Sequence, residues 1–201
     1  MRVLGISGSL RRGSHNTKLL RAAASELPPD TEFVVFEQLA GVPPYCEDHD
    51  GDQPPSGAAA LRTAIARADA VLLATPEYNS SVPGQLKNAL DWASRPYPAN
   101  VLRAKPVSVI GASTGIFGAV WAQAEVRKIL AAIGAQVQDD EVPVGEAHNA
   151  FAADGFLHDP KLRALLADAI ATLVKTTRPP GAIRTAVPQD GVADAGGAPN
   201  A

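Results

Sequence analysis

Short apolar runs alternate along the chain with longer segments that have helical periodicity. Five runs have the composition of strands: "RVLGIS" at 2–7, "EFVVFE" at 32–37, "AVLLAT" at 70–75, "PVSVIGAS" at 106–113 and "AQVQDDEVPV" at 135–144. The third run is continuously apolar, which is typical of a strand covered on both faces. The first four runs predict buried strands, and the fifth predicts a strand that ends in an acidic turn.

Each strand-like run is followed by a segment in which apolar residues recur at helical spacing. The segments are "TKLLRAAASEL" at 17–27, "ALRTAIARA" at 60–68, "PGQLKNALDWAS" at 83–94, "GAVWAQAEVRKILAAIG" at 118–134 and "DPKLRALLADAIATLVKT" at 159–176. The last begins with Asp159 as an N-cap and Pro160 at the first helical position. These segments predict five helices.

Five repeats of strand and helix predict an α/β fold. Because parallel strands need crossover helices, we expect a three-layer sandwich with a five-stranded parallel sheet. Right-handed crossovers favour the flavodoxin-like strand order 2-1-3-4-5. We assign residues 1–177 to this single domain. Residues 178–201 contain four prolines and four glycines without periodicity, and this composition predicts a disordered tail.

Composition excludes several classes of function. The net charge of −3 is not the basic surface that nucleic-acid binding requires. No apolar run approaches the roughly 20 residues of a membrane span. The single cysteine, Cys46, cannot form an internal disulfide. We therefore expect a cytoplasmic protein that binds neither nucleic acid nor membrane.

Three loops should meet at one edge of this sheet. Strands one, three and four are neighbours in the predicted order, and ligands bind beyond the carboxyl ends of such strands. The loops that follow these strands are the first loop (residues 8–16), the second loop (75–84) and the third loop (111–119). Their convergence predicts a binding site.

The first loop, "GSLRRGSHN", has the composition of an anion site. Its small residues allow backbone N–H groups to approach a ligand, and the helix that follows adds a positive N-terminal end. Hydroxyls of Ser9 and Ser14, the Asn16 amide, and Arg11 or Arg12 could add donors. No Walker A lysine, G-x-G-x-x-G sequence or cysteine nucleophile is present in this loop, so a terminal monophosphate fits best. The alternative is a serine-rich turn that caps a helix without any ligand.

The second loop contains "PEYNSS" before the third helix. Pro76 fixes the chain direction, and Glu77, Tyr78 and Asn79 could present polar atoms and a ring to a planar heterocycle. The alternative is a β-turn with a partly exposed tyrosine. The stretch "CEDHD" at 46–50 contains metal-binding residue types, but contiguous ligands do not suit tetrahedral closure, so we interpret it as a solvated acidic loop.

Four motifs together resemble the NADPH-dependent FMN reductase family, whose members include quinone, azo-dye and chromate reductases. They are "GSLRRGSHN", "PEYNSSVPGQLKNALDW", "GASTGIFGAVWAQAEVRKIL" and, more weakly, "GEAHNAFAADGFLHDPKL". The resemblance covers roughly residues 1–175, and the first two motifs at this spacing are highly specific. One departure is Trp121, where many relatives have an arginine.

The resemblance implies which residues hold FMN. It places the phosphate on one group of side chains, namely Ser9, Arg11, Ser14 and Asn16. It places the isoalloxazine between two further groups, with Pro76, Glu77, Tyr78 and Asn79 on one side and Ser113 and Gly115 on the other. No side chain is expected to act as a catalytic acid or base, and no metal is expected.

The same resemblance implies a ping-pong reaction. NADPH or NADH would deliver hydride to flavin N5, and a small-molecule electron acceptor would then take its place over the open flavin face. A homodimer or homotetramer is implied as well. Two alternatives remain open: a flavodoxin-type electron carrier without nucleotide turnover, and a non-catalytic FMN or phosphate sensor.

Overall fold

The computed structural model describes residues 1–177, and the predicted disordered tail at 178–201 lies outside them. The strands are β1 (Arg2–Ser7), β2 (Glu32–Val35), β3 (Ala70–Thr75), β4 (Pro106–Ala112), β5 (Gln136–Val137) and β6 (Pro143–Val144). The helices are α1 (His15–Ala24), α2 (Ser56–Ala66), α3 (Gly84–Ala93), α4 (Val120–Ile133) and α5 (Pro160–Thr177). Short 3₁₀ turns at Leu39–Gly41 and Glu47–His49 lie between β2 and α2.

The sheet has the predicted strand order. Its strands run β2-β1-β3-β4-β5, and every pairing is parallel. The flavodoxin-like α/β architecture is therefore confirmed. The central strand is β3, which pairs with β1 on one side and β4 on the other, so the loops after these three strands leave the sheet side by side.

The predicted fifth strand is split into two short pieces. Val107 pairs with Val137, whereas Gly111 pairs with Pro143, so two extra residues must be accommodated along β4. The interruption contains Asp139 and Glu141, which are exposed. Carboxylates at these positions stay solvated because the chain bulges away from this edge of the sheet. The sheet thus has six strands rather than the predicted five.

Two apolar cores lie on opposite faces of the sheet. Alternate residues of β3 separate cleanly: Leu72 packs with α1 and α5, whereas Val71 and Leu73 pack with α2, α3 and α4. All six residues of β3 are buried, which explains the continuously apolar run in the sequence. Within residues 1–177, no helix combines the length and apolar character needed to cross a membrane.

Helix starts follow local capping chemistry. The Ser14 side chain accepts hydrogen bonds from the N–H groups of Asn16 and Thr17 at 3.2 Å each, so α1 begins two residues before the predicted start. Asp159 accepts from the Lys161 N–H at 2.8 Å, which confirms the predicted N-cap of α5.

Replacement of a central core side chain should destabilise the protein strongly. Leu72 is completely buried in β3, and Leu72→Ala should lower the free energy of unfolding by about 2–5 kcal/mol. Leu165→Ala is the matched control, since Leu165 on α5 is 44% exposed, and it should cost about 0.5 kcal/mol or less. Urea denaturation of both variants measures the difference. Equal losses would contradict this description of the core.

Candidate functional site

The three loops meet around one cavity of about 200 Å³ at the carboxyl edge of the sheet. Eight of the ten predicted site residues line it: Ser9, Arg11, Ser14, Asn16, Pro76, Glu77, Tyr78 and Ser113. Asn79 and Gly115 belong to the same loops but are not among the lining residues. The convergence predicted from the strand order is therefore present.

The first loop is fixed at its start by a close approach to the sheet. The Gly8 N–H donates to the Ala74 carbonyl at 2.8 Å. A Cβ on Gly8 would lie 2.7 Å from Leu86 Cδ2 and 3.3 Å from Pro76 Cδ. Glycine is therefore required for the first loop to pass this closely beneath the second.

The first loop presents several donors that no protein group uses. Within residues 1–177, the N–H groups of Leu10, Arg12 and Gly13 have no hydrogen-bond acceptor. Arg11 is exposed and forms no ion pair with any described carboxylate. Together with the N-terminus of α1, this donor set fits a phosphate group.

Asn16 has a structural role in addition to its predicted one. Its carboxamide donates to the Ala112 carbonyl and accepts from the Ala112 N–H, both at 2.9 Å. The residue is 2% exposed. These bonds join the start of α1 to the end of β4, and they leave only one of the two amide hydrogens for a ligand.

The second loop contains a tight turn. The Tyr78 N–H donates to the Ser81 carbonyl, and the Ser81 N–H donates to the Tyr78 carbonyl, at 3.1 Å each. Asn79 and Ser80 both have positive φ, at 53° and 59°. Asparagine tolerates this conformation better than most residues, so Asn79 shapes the turn. The Tyr78 ring remains 53% exposed beside the cavity.

Two glutamates fasten the second loop to α4. The Glu77 carboxylate accepts from the N–H groups of Trp121 and Ala122 at 3.1 Å each, which caps a helix whose own N-cap residue is an alanine without a capping side chain. Glu125 accepts from the Ser81 hydroxyl at 2.6 Å and from the Val82 N–H at 3.1 Å. We call this reciprocal pair the Glu77–Glu125 clasp. It fixes the wall of the cavity that Pro76 and Tyr78 form.

The clasp depends on an ionised carboxylate. The hydrogen bonds from Ser81 and Val82 lower the pKa of Glu125 below its ordinary value, because both donors favour the charged oxygen. Glu125 is therefore ionised throughout the neutral range.

The third loop packs against residues 143–147. The Ser113 N–H donates to the Val144 carbonyl, and the Ser113 carbonyl accepts from Ala147, at 3.0 Å each. The Ser113 hydroxyl accepts from the Gly115 N–H at 3.1 Å. Gly115 is exposed at the loop surface, so its predicted contact with a ligand would come from outside the cavity lining.

Four large side chains in or next to the second and third loops are exposed, and we call them the apolar rim: Tyr78, Ile116, Phe117 and Trp121. Of these four, Tyr78 lines the cavity. The Phe117 and Trp121 rings make an edge-to-face contact with centroids 5.1 Å apart. Their exposed fractions are 56% and 47%, so this edge-to-face pair presents apolar surface to solvent.

Sequence reasoning missed three lining residues, His15, Ala112 and Thr114. All three are adjacent to predicted residues, inside "GSHN" and "GASTG", so the motifs themselves were the available signal. The His15 ring stacks on Phe151 with an interplanar angle of 8°. Desolvation, followed by the charges of Lys18 and Arg11, lowers the pKa of His15. The imidazole is therefore neutral at neutral pH, and the cationic charge of the first loop comes from its arginines.

The acidic loop at 46–50 is not among the segments that line this cavity. Asp50 forms an ion pair with Arg62 at 2.6 Å, and Cys46 is half-buried. Among the residues that the structure describes, no group of three or more His, Cys, Asp or Glu side chains is arranged to hold a metal ion.

Removal of the charge at Glu125 should destabilise the protein in a pH-dependent way. Since the folded-state pKa is lowered, the stabilisation is present above the ordinary carboxyl pKa of 4.5 and is lost as the pH falls through the lowered value. Glu125→Gln should therefore unfold at lower urea concentration than the wild type at pH 7, and this gap should shrink in acid.

The control is Glu26→Gln, because the Glu26 carboxylate is exposed and makes no hydrogen bond or ion pair with the described residues. It should show no such gap. A Glu125→Gln gap that is constant from pH 7 to acid would contradict the role of the charge.

Comparisons with known proteins agree with this geometry. The family model described as NADPH-dependent FMN reductase matches residues 1–149. The chain is 42% identical to an NAD(P)H-dependent FMN reductase of Pseudomonas aeruginosa over 174 residues, which is 86% of this chain and 93% of that protein. It is 46% identical to a 2-hydroxy-1,4-benzoquinone reductase of a Burkholderia species over 131 residues, or 65% of this chain and 70% of that protein.

A solved structure gives the same result. The flavoenzyme NAD(P)H:(acceptor) oxidoreductase FerB of Paracoccus denitrificans matches with a TM-score of 0.76 and 36% identity, covering 88% of this chain and 96% of that chain. The predicted resemblance and the oxidoreductase class are confirmed. The chain belongs to the NADPH-dependent FMN reductase family.

Proposed function

We propose that the cavity binds FMN, and that the protein uses NAD(P)H to reduce small acceptors of the quinone type by a ping-pong reaction. The observation that carries this proposal is the meeting of three loops around one cavity, with unpaired N–H donors and Arg11 in the first loop and exposed apolar side chains in or next to the second and third loops. A mononucleotide has the same polarity, with a dianionic phosphate at one end and a planar ring system at the other.

The phosphate end belongs to the first loop. Arg11 and Ser9 line the cavity and would supply the guanidinium and a hydroxyl. The N–H groups of Leu10 and Gly13, which have no acceptor within residues 1–177, would add neutral donors from the same loop. The side chains of Ser14 and Asn16 already bond to the protein, so in this proposal they mainly hold the loop open in the shape that the phosphate needs.

The ring end belongs to the second and third loops. Pro76, Tyr78 and Ser113 line this end, and the proposal keeps Asn79 and Gly115 at its outer edge. The Tyr78 N–H already donates to Ser81, whereas the N–H groups of Glu77 and Asn79 have no acceptor within residues 1–177. These two donors are suited to a heterocycle carbonyl on which negative charge develops.

The Glu77 carboxylate is turned to α4, where it caps Trp121 and Ala122. Its negative charge is therefore compensated by helix amides rather than directed at the ring system. When bound, FMN would supply the hydride-accepting and electron-donating chemistry. The chain's own residues bind FMN, orient it and shield it from water. None of them is needed as an acid or base at the reacting atom.

Two further features belong to this proposal. The name of the Burkholderia relative supports a quinone as the acceptor, and the apolar rim is suited to a planar molecule of this kind. Ile116 is 71% exposed, and the size of the exposed apolar cluster supports association into a homodimer or homotetramer. A single free cysteine suits the reducing conditions of the cytoplasm.

Loss of the Arg11 guanidinium should weaken FMN binding. A charge-assisted hydrogen bond contributes roughly 1.5–3 kcal/mol, so Arg11→Ala should raise the Kd for FMN by about tenfold to a hundredfold. Arg163→Ala removes the same charge from an exposed position on α5 and should leave the Kd unchanged. Titration of flavin fluorescence with the apoprotein measures both values, and an unchanged Kd for Arg11→Ala would refute the phosphate assignment.

Initial rates distinguish the proposed reaction from its alternatives. With NADPH varied at several fixed concentrations of 1,4-benzoquinone, double-reciprocal plots should be parallel, because the two substrates use the same face in turn. Intersecting lines would exclude the ping-pong scheme. If NADPH fails to bleach the bound flavin under anaerobic conditions, the protein is an electron carrier or a sensor.

A further inference from the structure

A second cavity lies against the opposite side of the first loop. Its volume is about 500 Å³. It opens between the first loop and α1 on one side and the residues after β2 on the other. Ser9 lines both cavities, so the two are separated by the thickness of the first loop.

Two arginines line this second cavity, and neither is paired with a carboxylate within residues 1–177. Arg12 comes from the first loop and Arg21 from α1. Thr17 lies four residues before Arg21, on the same face of α1, and it also lines the cavity. This arrangement is suited to an anion with several oxygens, such as a phosphate monoester.

The rest of the lining differs from that of a bare anion site. Phe36 and Leu39 provide apolar surface, and Leu10 is 54% exposed at the mouth. Glu37 follows β2 closely and also lines the cavity. In nucleotide-binding parallel sheets, an acid after the second strand accepts hydrogen bonds from an unphosphorylated adenosine ribose, or a nearby arginine accommodates a 2′-phosphate. The apolar walls and the two arginines match a phosphorylated adenosine, whereas Glu37 matches the free ribose.

We propose that the second cavity binds the adenosine 2′-phosphate end of NADPH, and that Arg12 and Arg21 determine the preference for NADPH over NADH. The inference rests on the NAD(P)H-dependent reaction proposed above, which supplies a ligand with this chemistry next to the first cavity. Glu37 favours NADH over NADPH, in opposition to the two arginines. Its carboxylate accepts from the free ribose hydroxyl of NADH and repels the 2′-phosphate of NADPH.

The test uses the FMN-loaded enzyme and compares both nucleotides with one acceptor, 1,4-benzoquinone. Arg21→Ala and Arg12→Ala should each raise the KM for NADPH by about tenfold or more, because one charge-assisted contact to the 2′-phosphate is lost. In Arg21→Ala, the KM for NADH and the kcat with either nucleotide should not change. Glu37→Gln should shift the preference the other way, towards NADPH. Arg163→Ala is the control for loss of one positive charge.

A binding experiment tests the second cavity without turnover. Adenosine 2′,5′-bisphosphate should bind the FMN-loaded wild type more tightly than AMP does, as measured by calorimetry, and this advantage should disappear in Arg12→Ala and Arg21→Ala. Equal affinity for the two nucleotides in the wild type, or an advantage that survives both substitutions, would overturn the inference. So would a KM increase shared equally by NADPH and NADH.

The two proposals fail in different ways. If the wild type reduces no acceptor with either nucleotide, the proposed reaction is wrong, whereas the bisphosphate titration still decides whether the second cavity recognises a 2′-phosphate. If the reaction proceeds normally and the arginine variants retain the wild-type preference, only the second cavity is wrongly assigned. Arg21→Lys should recover part of the NADPH preference, since it restores the charge without the planar fork.

Discussion

The pair of hydrogen bonds between the Asn16 carboxamide and the backbone of Ala112 is the constraint on which the site depends. The two residues are 96 positions apart, and β3 lies between the strands that precede them. Sheet pairing alone therefore cannot set the distance between the first and third loops. By satisfying both backbone groups of Ala112, Asn16 fixes that distance, and the nitrogen and the oxygen of its buried carboxamide each have a partner.

The Glu77–Glu125 clasp fixes the position of the second loop, as the hydrogen bonds of Asn16 fix the position of the first loop. The Glu77 carboxylate supplies the cap that Ala119 does not provide to α4, and the Glu125 carboxylate holds Ser81 and Val82 shortly before α3. Loop and helix therefore depend on each other: release of Glu77 leaves two α4 amides unpaired, and release of Glu125 frees the turn that carries Tyr78. A fixed second loop and the exposed apolar rim are together suited to hold one face of a planar ring and to leave its other face accessible.

Most of the architecture could be predicted from the sequence, because a buried parallel strand such as β3 requires an unbroken apolar run and each crossover requires a helix. The positions of the three loops followed from the strand order alone. The split of the fifth strand at Asp139 could not be predicted, because pairing over so few residues depends on which backbone groups of β4 are free to pair. The hydrogen bonds of Asn16 and Glu125 could not be predicted either, because their partners are distant in sequence. Local composition shows that a polar group is present but not which backbone group it satisfies.

The central claim is that one mononucleotide is held by all three loops at once. Backbone NMR of ¹⁵N-labelled apoprotein during titration with FMN tests it most directly. We expect the largest shift changes at Leu10 and Gly13 in the first loop, Asn79 in the second and Thr114 in the third, at the same ligand concentration. A cavity of about 470 Å³ between β2 and α2 provides an internal reference, and its residues Thr63 and Arg67 should not respond. Changes confined to one loop, or centred on Thr63 and Arg67, would contradict the account.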